Sequence, residues 1–368
     1  MAQSRSLPGN ATTAVVDTTP VRVWLLTVAA LVFLLVSIGG ATRLTGSGLS
    51  ITEWKPIMGI VPPLSEADWH DAFDKYRQIP QYQQVNKGMS LGAFKRIFWW
   101  EWTHRFLARL VGFAFLVPFL ALLAAGRIPR TLVARLVGIF ALGGLQVFIG
   151  WYMVSSGLVD RISVSQYRLA VHLGLAILIL GALLWVALSL DERRDGPGAA
   201  AAPSGWAAAI AVLLFVQILL GALVAGMKAG MGYNTWPLMD GQLIPSGLGI
   251  MQPWYLNLFE NAMTVQFNHR VVAYVAVLAV AWHTWSVLRV CGDARVRGTA
   301  VALLVGTLLQ AMLGIWTLLA QVPLSLGLAH QAGAAALFAV AVWHLYAVRH
   351  ALVMRGGALE DVHTPANS

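Results

Sequence analysis

Apolar residues in this chain run in long blocks instead of alternating with polar ones. Blocks near 23–42, 102–125, 132–155, 167–190, 206–227, 265–288, 298–320 and 325–348 stand out. At about 1.5 Å per helical residue, each is long enough to cross a hydrocarbon layer about 30 Å thick. Between Arg297 and Arg349 there is no Asp, Glu, Lys or Arg, a run longer than one crossing, and the Gln321, Pro323, Ser325 and Gly327 region supplies the turn that divides it in two. The pattern predicts an all-α integral membrane protein of eight transmembrane helices. Val23 to Thr42 is longer than the apolar core of a secretion signal and reads as the first membrane helix, not a cleaved leader.

The polar gaps set an orientation. Arg127 with Arg130, Arg193 with Arg194, and Arg289 with Arg295 and Arg297 fall in alternate gaps, and Arg22 and Arg349 agree with them. Basic residues favour the cytoplasmic side, so both termini are expected there. Two long segments, about 43–100 and 228–264, then belong to the outer face. In the first, Pro62 and Pro63 followed by Ser65 and Asp68 predict the start of an amphipathic surface helix. In the second, Tyr233, Trp236, Pro237, Trp254 and Tyr255 are expected at the headgroup level. Asp191 to Ser204, with Gly196, Pro197, Gly198 and a run of Ala, reads as a linker. The organisation is thus a tail (1–22), a four-helix half (23–190), a cytoplasmic linker (191–205), a second four-helix half (206–348) and a cytoplasmic tail (349–368).

Composition agrees: 58% of the 368 residues are hydrophobic and 11% charged, which makes lipid the expected solvent. The net charge of +9 sits in single residues and small groups between the apolar blocks, a topology signal and not a nucleic-acid surface. Cys291 is the sole cysteine, so disulfides within the chain and CxxC metal sites are excluded.

The two halves share residues in the same order. Glu101-Trp102-Thr103-His104-Arg105 is answered 165 positions on by Gln266-Phe267-Asn268-His269-Arg270. Gln146, Gly150 and Trp151 correspond to Gln310, Gly314 and Trp316, and His172 and Trp185 to His330 and Trp343. This predicts duplication of a four-helix unit. Four crossings per unit make the repeats parallel, so equivalent residues lie at equal depth. His104, His172, His269 and His330 are expected within about two turns of their helix starts, in one outer layer.

An ionisable residue inside a membrane span is costly and marks function by default. Imidazole is a common axial ligand of haem iron, and helical bundles hold such cofactors between facing side chains. Two histidines per half would hold one iron each; hydrogen bonding between helices is the plainer alternative, but it does not predict the repetition. Arg105 and Arg270 follow two of the histidines, and two readings stand for them, as for Arg168: partner of a haem propionate, or interfacial snorkelling. Glu101 shares a helix face with His104 and is replaced by Gln266 in the second half. This suggests chemistry in the first half and a static haem in the second, unless Glu101 only pairs with Arg105 or a loop Lys. His283 and His344 each lie 14 residues after a proposed ligand, the spacing of a further stacked haem or of an aromatic belt. His70, His350 and His363 fall outside the spans and carry no assignment.

With these residues assembled, the chain resembles the haem A synthase family, in the subgroup shared by mitochondria and many Gram-negative bacteria. The resemblance rests on Gly40-Ala41-Thr42-Arg43-Leu44-Thr45, Ser47-Gly48-Leu49-Ser50, Thr52-Glu53-Trp54-Lys55-Pro56, the Glu101 to Arg105 motif and Tyr233-Asn234-Thr235-Trp236-Pro237-Leu238-Met239. It lacks the outer-loop cysteine pairs of some members. The resemblance implies oxidation of the C8 methyl of haem O to a formyl group by successive hydroxylations and loss of water from the geminal diol. It further implies that His269 and His330 bind a haem b cofactor while His104 and His172 hold the substrate haem, with Glu101 catalytic. A bacterial inner membrane is the expected location, a mitochondrial inner membrane the alternative. Haem O synthase, a redox partner and a second copy of the chain are the expected partners. The farnesyl tail calls for a lateral opening to lipid, where Gly143, Gly144 and Gly150 are expected to let helices approach closely. The competing functions are an electron-carrying di-haem cytochrome and a haem transporter.

Overall fold

The computed structural model describes residues 17–55, 58–190 and 204–362, with side chains through Ala351. In chain order the α-helices are α1 (Thr19–Leu44), α2 (Glu66–Arg77), α3 (Pro80–Gln84), α4 (Leu91–Ala124), α5 (Arg130–Ser155), α6 (Gln166–Ser189), α7 (Ser204–Gly226), α8 (Asn257–Glu260), α9 (Ala262–Val290), α10 (Ala294–Leu319) and α11 (Leu324–Val362). Eight are long and apolar enough to cross a membrane: α1, α4, α5, α6, α7, α9, α10 and the Leu324–Ala351 part of α11. All eight expected spans are present, and no strand occurs among the described residues. The linker from Asp191, Pro56 of the Thr52 to Pro56 motif, and His363 lie outside the described residues.

The helix α4 starts at Leu91, well before the expected 102, because its first turns belong to a cap outside the apolar span. Ser90 accepts a hydrogen bond from the Ala93 amide at 3.2 Å. Phe94 and Phe98 then pack with Trp69, Phe73 and Tyr76. Lys95 and Arg96 interrupt the apolar run here and hide the start from a hydropathy reading. His104 consequently lies deeper along its helix than two turns, whereas His172, His269 and His330 hold the expected position. The predicted surface helix is α2. Ser65 Oγ accepts from the Asp68 amide at 3.1 Å, and Asp68 Oδ2 accepts from the Ser65 amide at 3.0 Å, a reciprocal cap.

In the bundle, α1, α6, α7 and α11 occupy the middle. Val28 and Val32 of α1, Leu180 and Leu183 of α6, Ile218 of α7 and Phe338 of α11 share one buried cluster. On one flank stand α4 and α5, on the other α9 and α10. The flanks differ: the backbones of α9 and α10 run close together, whereas those of α4 and α5 stay apart and meet through side chains such as the Phe115 and Phe140 rings, stacked 5.7 Å apart. The seam between the helix groups is tight at Gly40, where a methyl would lie 2.5 Å from Gln331 Oε1. Gln331 Nε2 there donates to the Val36 carbonyl at 2.7 Å.

The longer connections gather at one end. Leu49 packs on Gly157, Asn234 Nδ2 donates to the Leu318 carbonyl at 2.9 Å, and Gln166 Nε2 donates to Glu260 at 2.9 Å. Elsewhere the bundle presents large apolar side chains outward, Phe113, Leu278, Met312 and Trp316 among them, as a lipid-facing surface requires.

Candidate functional site

Each of the four expected histidines packs against a glycine of a neighbouring helix. A methyl placed on Gly39 of α1 would lie 3.1 Å from His104 Nε2, and one on Gly150 of α5 would lie 3.0 Å from His172 Cε1. The corresponding distances are 3.2 Å from Gly221 of α7 to His269 Cε1 and 2.7 Å from Gly314 of α10 to His330 Cε1. A side chain on Gly314 would force a shift, and one on any of the other three would press the ring back by a few tenths of an ångström, so the glycines serve as seats for imidazole rings.

Three of the seats carry a glutamine one turn earlier. Gln146 Nε2 donates to the His172 carbonyl at 3.0 Å, Gln217 Nε2 to the His269 carbonyl at 3.0 Å and Gln310 Nε2 to the His330 carbonyl at 2.7 Å. The same amides approach the rings, at 3.1 Å from His269 Nδ1 and 3.0 Å from His330 Nδ1. In sequence this is Gln-x-x-x-Gly at 146–150, 217–221 and 310–314. The fourth seat has Leu35 before Gly39, and among the described residues His104 has no hydrogen-bond partner.

The rings of His269 and His330 are 6.5 Å apart, centre to centre, with planes at 86°. Two imidazoles on one iron, with bonds of about 2 Å, put their centres about 6.4 Å apart, so the pair is spaced for a shared iron. Oε1 of Gln146 and of Gln217 and Nδ1 of His172 are buried without partners. The glutamine nitrogens are committed to the histidine carbonyls, so these side chains fix where the rings sit. No group of three or more His, Cys, Asp or Glu suited to a bare metal ion occurs among the described residues. A porphyrin brings its own four nitrogens, so histidine pairs fit haem.

Glu101 is buried, with its side chain 3% exposed. Its Oε2 accepts from Ser50 Oγ and from the Ile51 amide, each at 2.8 Å, and its Oε1 accepts from Arg105. Gln266 stands in the matching place with inverted polarity: Nε2 donates to the carbonyls of Ala229 (3.0 Å) and Gly232 (2.9 Å), and Oε1 accepts from Arg270. Both arginines also reach connecting-segment carbonyls. Arg105 binds Ile51 at 2.7 Å and Glu53 at 3.0 Å; Arg270 binds Tyr233 at 2.7 Å and Thr235 at 2.9 Å. The Thr52 and Tyr233 motifs thus shape equivalent carbonyl cradles. Glu101 compensates the charge of Arg105, whereas Arg270 has only neutral partners and a buried Nε with none. Arg168 donates to the Tyr152 carbonyl at 2.6 Å and lies over the Tyr152 ring.

Of the two readings of His283 and His344, the stacked haem fails. Their Nε2 atoms are hydrogen-bonded at 2.8 Å, which leaves no space for an iron between them. The Thr299 hydroxyl is committed to the Arg295 and Val296 carbonyls, so it accepts from His344 Nδ1 at 2.9 Å. His344 is then protonated on Nδ1 and His283 on Nε2, a neutral chain joining α9, α10 and α11. The expectation for Gly143 and Gly144 is also corrected. A methyl on either meets nothing within 4 Å, so only Gly150 of the three mediates a close approach.

Sequence reading missed Gln217, Gly221, Gly39 and Arg43 as site residues. The Gln-x-x-x-Gly spacing would have found the first two. Arg43 lies one turn beyond Gly39 on the same face of α1, toward the loop-rich end, half-buried, its guanidinium with no hydrogen bond or ion pair among the described residues.

Comparison with known proteins gives a consistent result. Residues 22–342 match the family model COX15-CtaA, described as a cytochrome oxidase assembly protein. The chain is 56% identical over 326 residues to a heme A synthase of Parvibaculum lavamentivorans, covering 88% of this chain and 92% of that one. It is 54% identical over 324 residues to a heme A synthase of Allorhizobium ampelinum, covering 88% and 89%. A heme A synthase of Nitrosomonas eutropha is 49% identical over 328 residues, covering 88% and 92%.

Proposed function

The chain belongs to the COX15-CtaA family of cytochrome oxidase assembly proteins, and from that premise we propose that it is a haem A synthase. In this reading it converts the C8 methyl of haem O to a formyl group by successive hydroxylations, within a bacterial inner membrane and with both termini cytoplasmic. The observation that supports the reading is a buried carboxylate, Glu101, one turn before His104, where the second half has a buried amide, Gln266, one turn before His269. The parallel seats also support descent from a duplicated four-helix unit.

His104 and His172 hold the substrate haem, and His269 and His330 hold haem b. When bound, haem b supplies one-electron redox chemistry. Gln217 and Gln310 orient its two ligands, and the uncompensated charge of Arg270 suits a propionate. Glu101 stabilises positive charge that develops at the methyl carbon or moves a proton from it, in a site from which water is largely excluded. Arg105 holds that carboxylate in place. The farnesyl tail leaves through the gap between α4 and α5 into lipid, and haem O synthase is the natural donor of the substrate.

Expression of the chain with a source of haem O, followed by chromatography of extracted haems, tests the reading. Haem A that is absent without the chain supports it. A di-haem electron carrier or a transporter would return haem O unchanged. Glu101→Gln is expected to retain both haem sites by absorption spectroscopy and to halt the conversion. Normal haem A from that variant would remove Glu101 from the mechanism.

A further inference from the structure

Three of the four histidine seats share one device and the fourth lacks it. Gln146, Gln217 and Gln310 each anchor a histidine by its own carbonyl and lie beside its ring. The position that would carry the fourth glutamine, one turn before Gly39, is Leu35. The His104 ring is also turned differently. Its Nε2 is the atom nearest Gly39, whereas Cε1 is nearest the glycine at the other three seats. A brace that fixes the main chain of a ligating histidine holds its imidazole at the metal, so a ligand without one binds its metal less firmly.

We propose that Leu35 makes His104 the exchangeable axial ligand of the first site, the ligand through which haem is taken up and product haem is released. The inference rests on the reading of that site as the substrate site and extends it to the means of turnover. The bond that forms and breaks is the coordinate bond between His104 Nε2 and the haem iron, with no change of oxidation state. His172 keeps its glutamine and tethers the haem from the other side. The helix that bears His104 is also the one whose backbone its flanking neighbour approaches least, since α4 meets α5 through side chains such as Phe115 and Phe140 while α9 packs closely along α10. A cofactor has to stay and a substrate has to leave; the braced pair suits the first and the half-braced pair the second.

The test uses the full-length protein in lipid nanodiscs, loaded anaerobically with haem O and mixed with excess apomyoglobin, with release followed in the Soret band. The unsubstituted protein is expected to release haem in a fast phase from the first site and a slow phase from the second. Leu35→Gln is close in volume, and it should slow the fast phase about 10- to 100-fold and sharpen the low-spin bis-histidine resonance of that site. Gln217→Leu should accelerate the slow phase by a similar factor, and it decides the matter should Leu35→Gln fail to fold. Unchanged or faster release from a folded Leu35→Gln protein, or an unchanged slow phase in Gln217→Leu, overturns the proposal. Absence of any fast phase in the unsubstituted protein overturns the substrate-site reading, and the proposal with it.

Discussion

A carboxylate and an amide of one size reverse what their surroundings must offer, and Glu101 and Gln266 follow that rule. Ser50 and Ile51 present donors to the first, Ala229 and Gly232 present acceptors to the second. The exchange is therefore built into both connecting segments as well as into the helices. Arg43 is the other residue whose environment asks for a partner: a half-buried guanidinium with none, one turn from the glycine that seats His104. A propionate would supply the missing charge. Arg43→Gln is expected to weaken haem binding at the first site by about tenfold or more, as loss of a charge-assisted hydrogen bond does. The spectrum of the second site should stay unchanged, and titration with haem followed by absorption separates the two. Leu35 and Gln217 show what a single residue conceals, since neither stands out until the three glutamine–glycine pairs are aligned with the fourth.

At the scale of elements, the eight membrane helices were legible because lipid demands long uncharged runs and connections reveal themselves by charge. The start of α4 was not, because Lys95 and Arg96 break the apolar run there and its first turns are held by aromatic packing on α2, which leaves the Ser90 cap as the local signature. The cap of α2 was legible, since Ser65 and Asp68 satisfy each other's backbone groups within one turn. The same cap has a pH dependence. The Ser65 amide and hydroxyl hold Asp68 below its ordinary value, and Lys75 followed by Lys55 does the same for Glu53, which ties α2 to the segment before it. A carboxyl depressed in the folded state contributes stability that is present above its unfolded value, about 4, and lost as pH falls through the folded value. Between about pH 5 and pH 3 the amides of α2 should lose protection while those of α6 keep theirs. Hydrogen exchange corrected for intrinsic rates checks this.

Over the whole molecule, sequence reading reached the order of the helices and singled out the four histidines that the fold seats against glycines, because spacing within a helix and recurrence along the chain are one-dimensional properties. It did not reach the difference in packing between α4–α5 and α9–α10, which depends on how closely the backbones of separate helices approach. Under the proposed lateral entry, that difference bears on more than the passage of a tail. An enzyme that admits its substrate sideways draws on the bilayer as a two-dimensional reservoir, so its saturation is set by the mole fraction of haem O among the lipids and not by its amount per unit volume. Diluting the nanodisc or vesicle suspension with buffer should leave the rate per enzyme unchanged, whereas adding inert phospholipid to the same membranes should lower it.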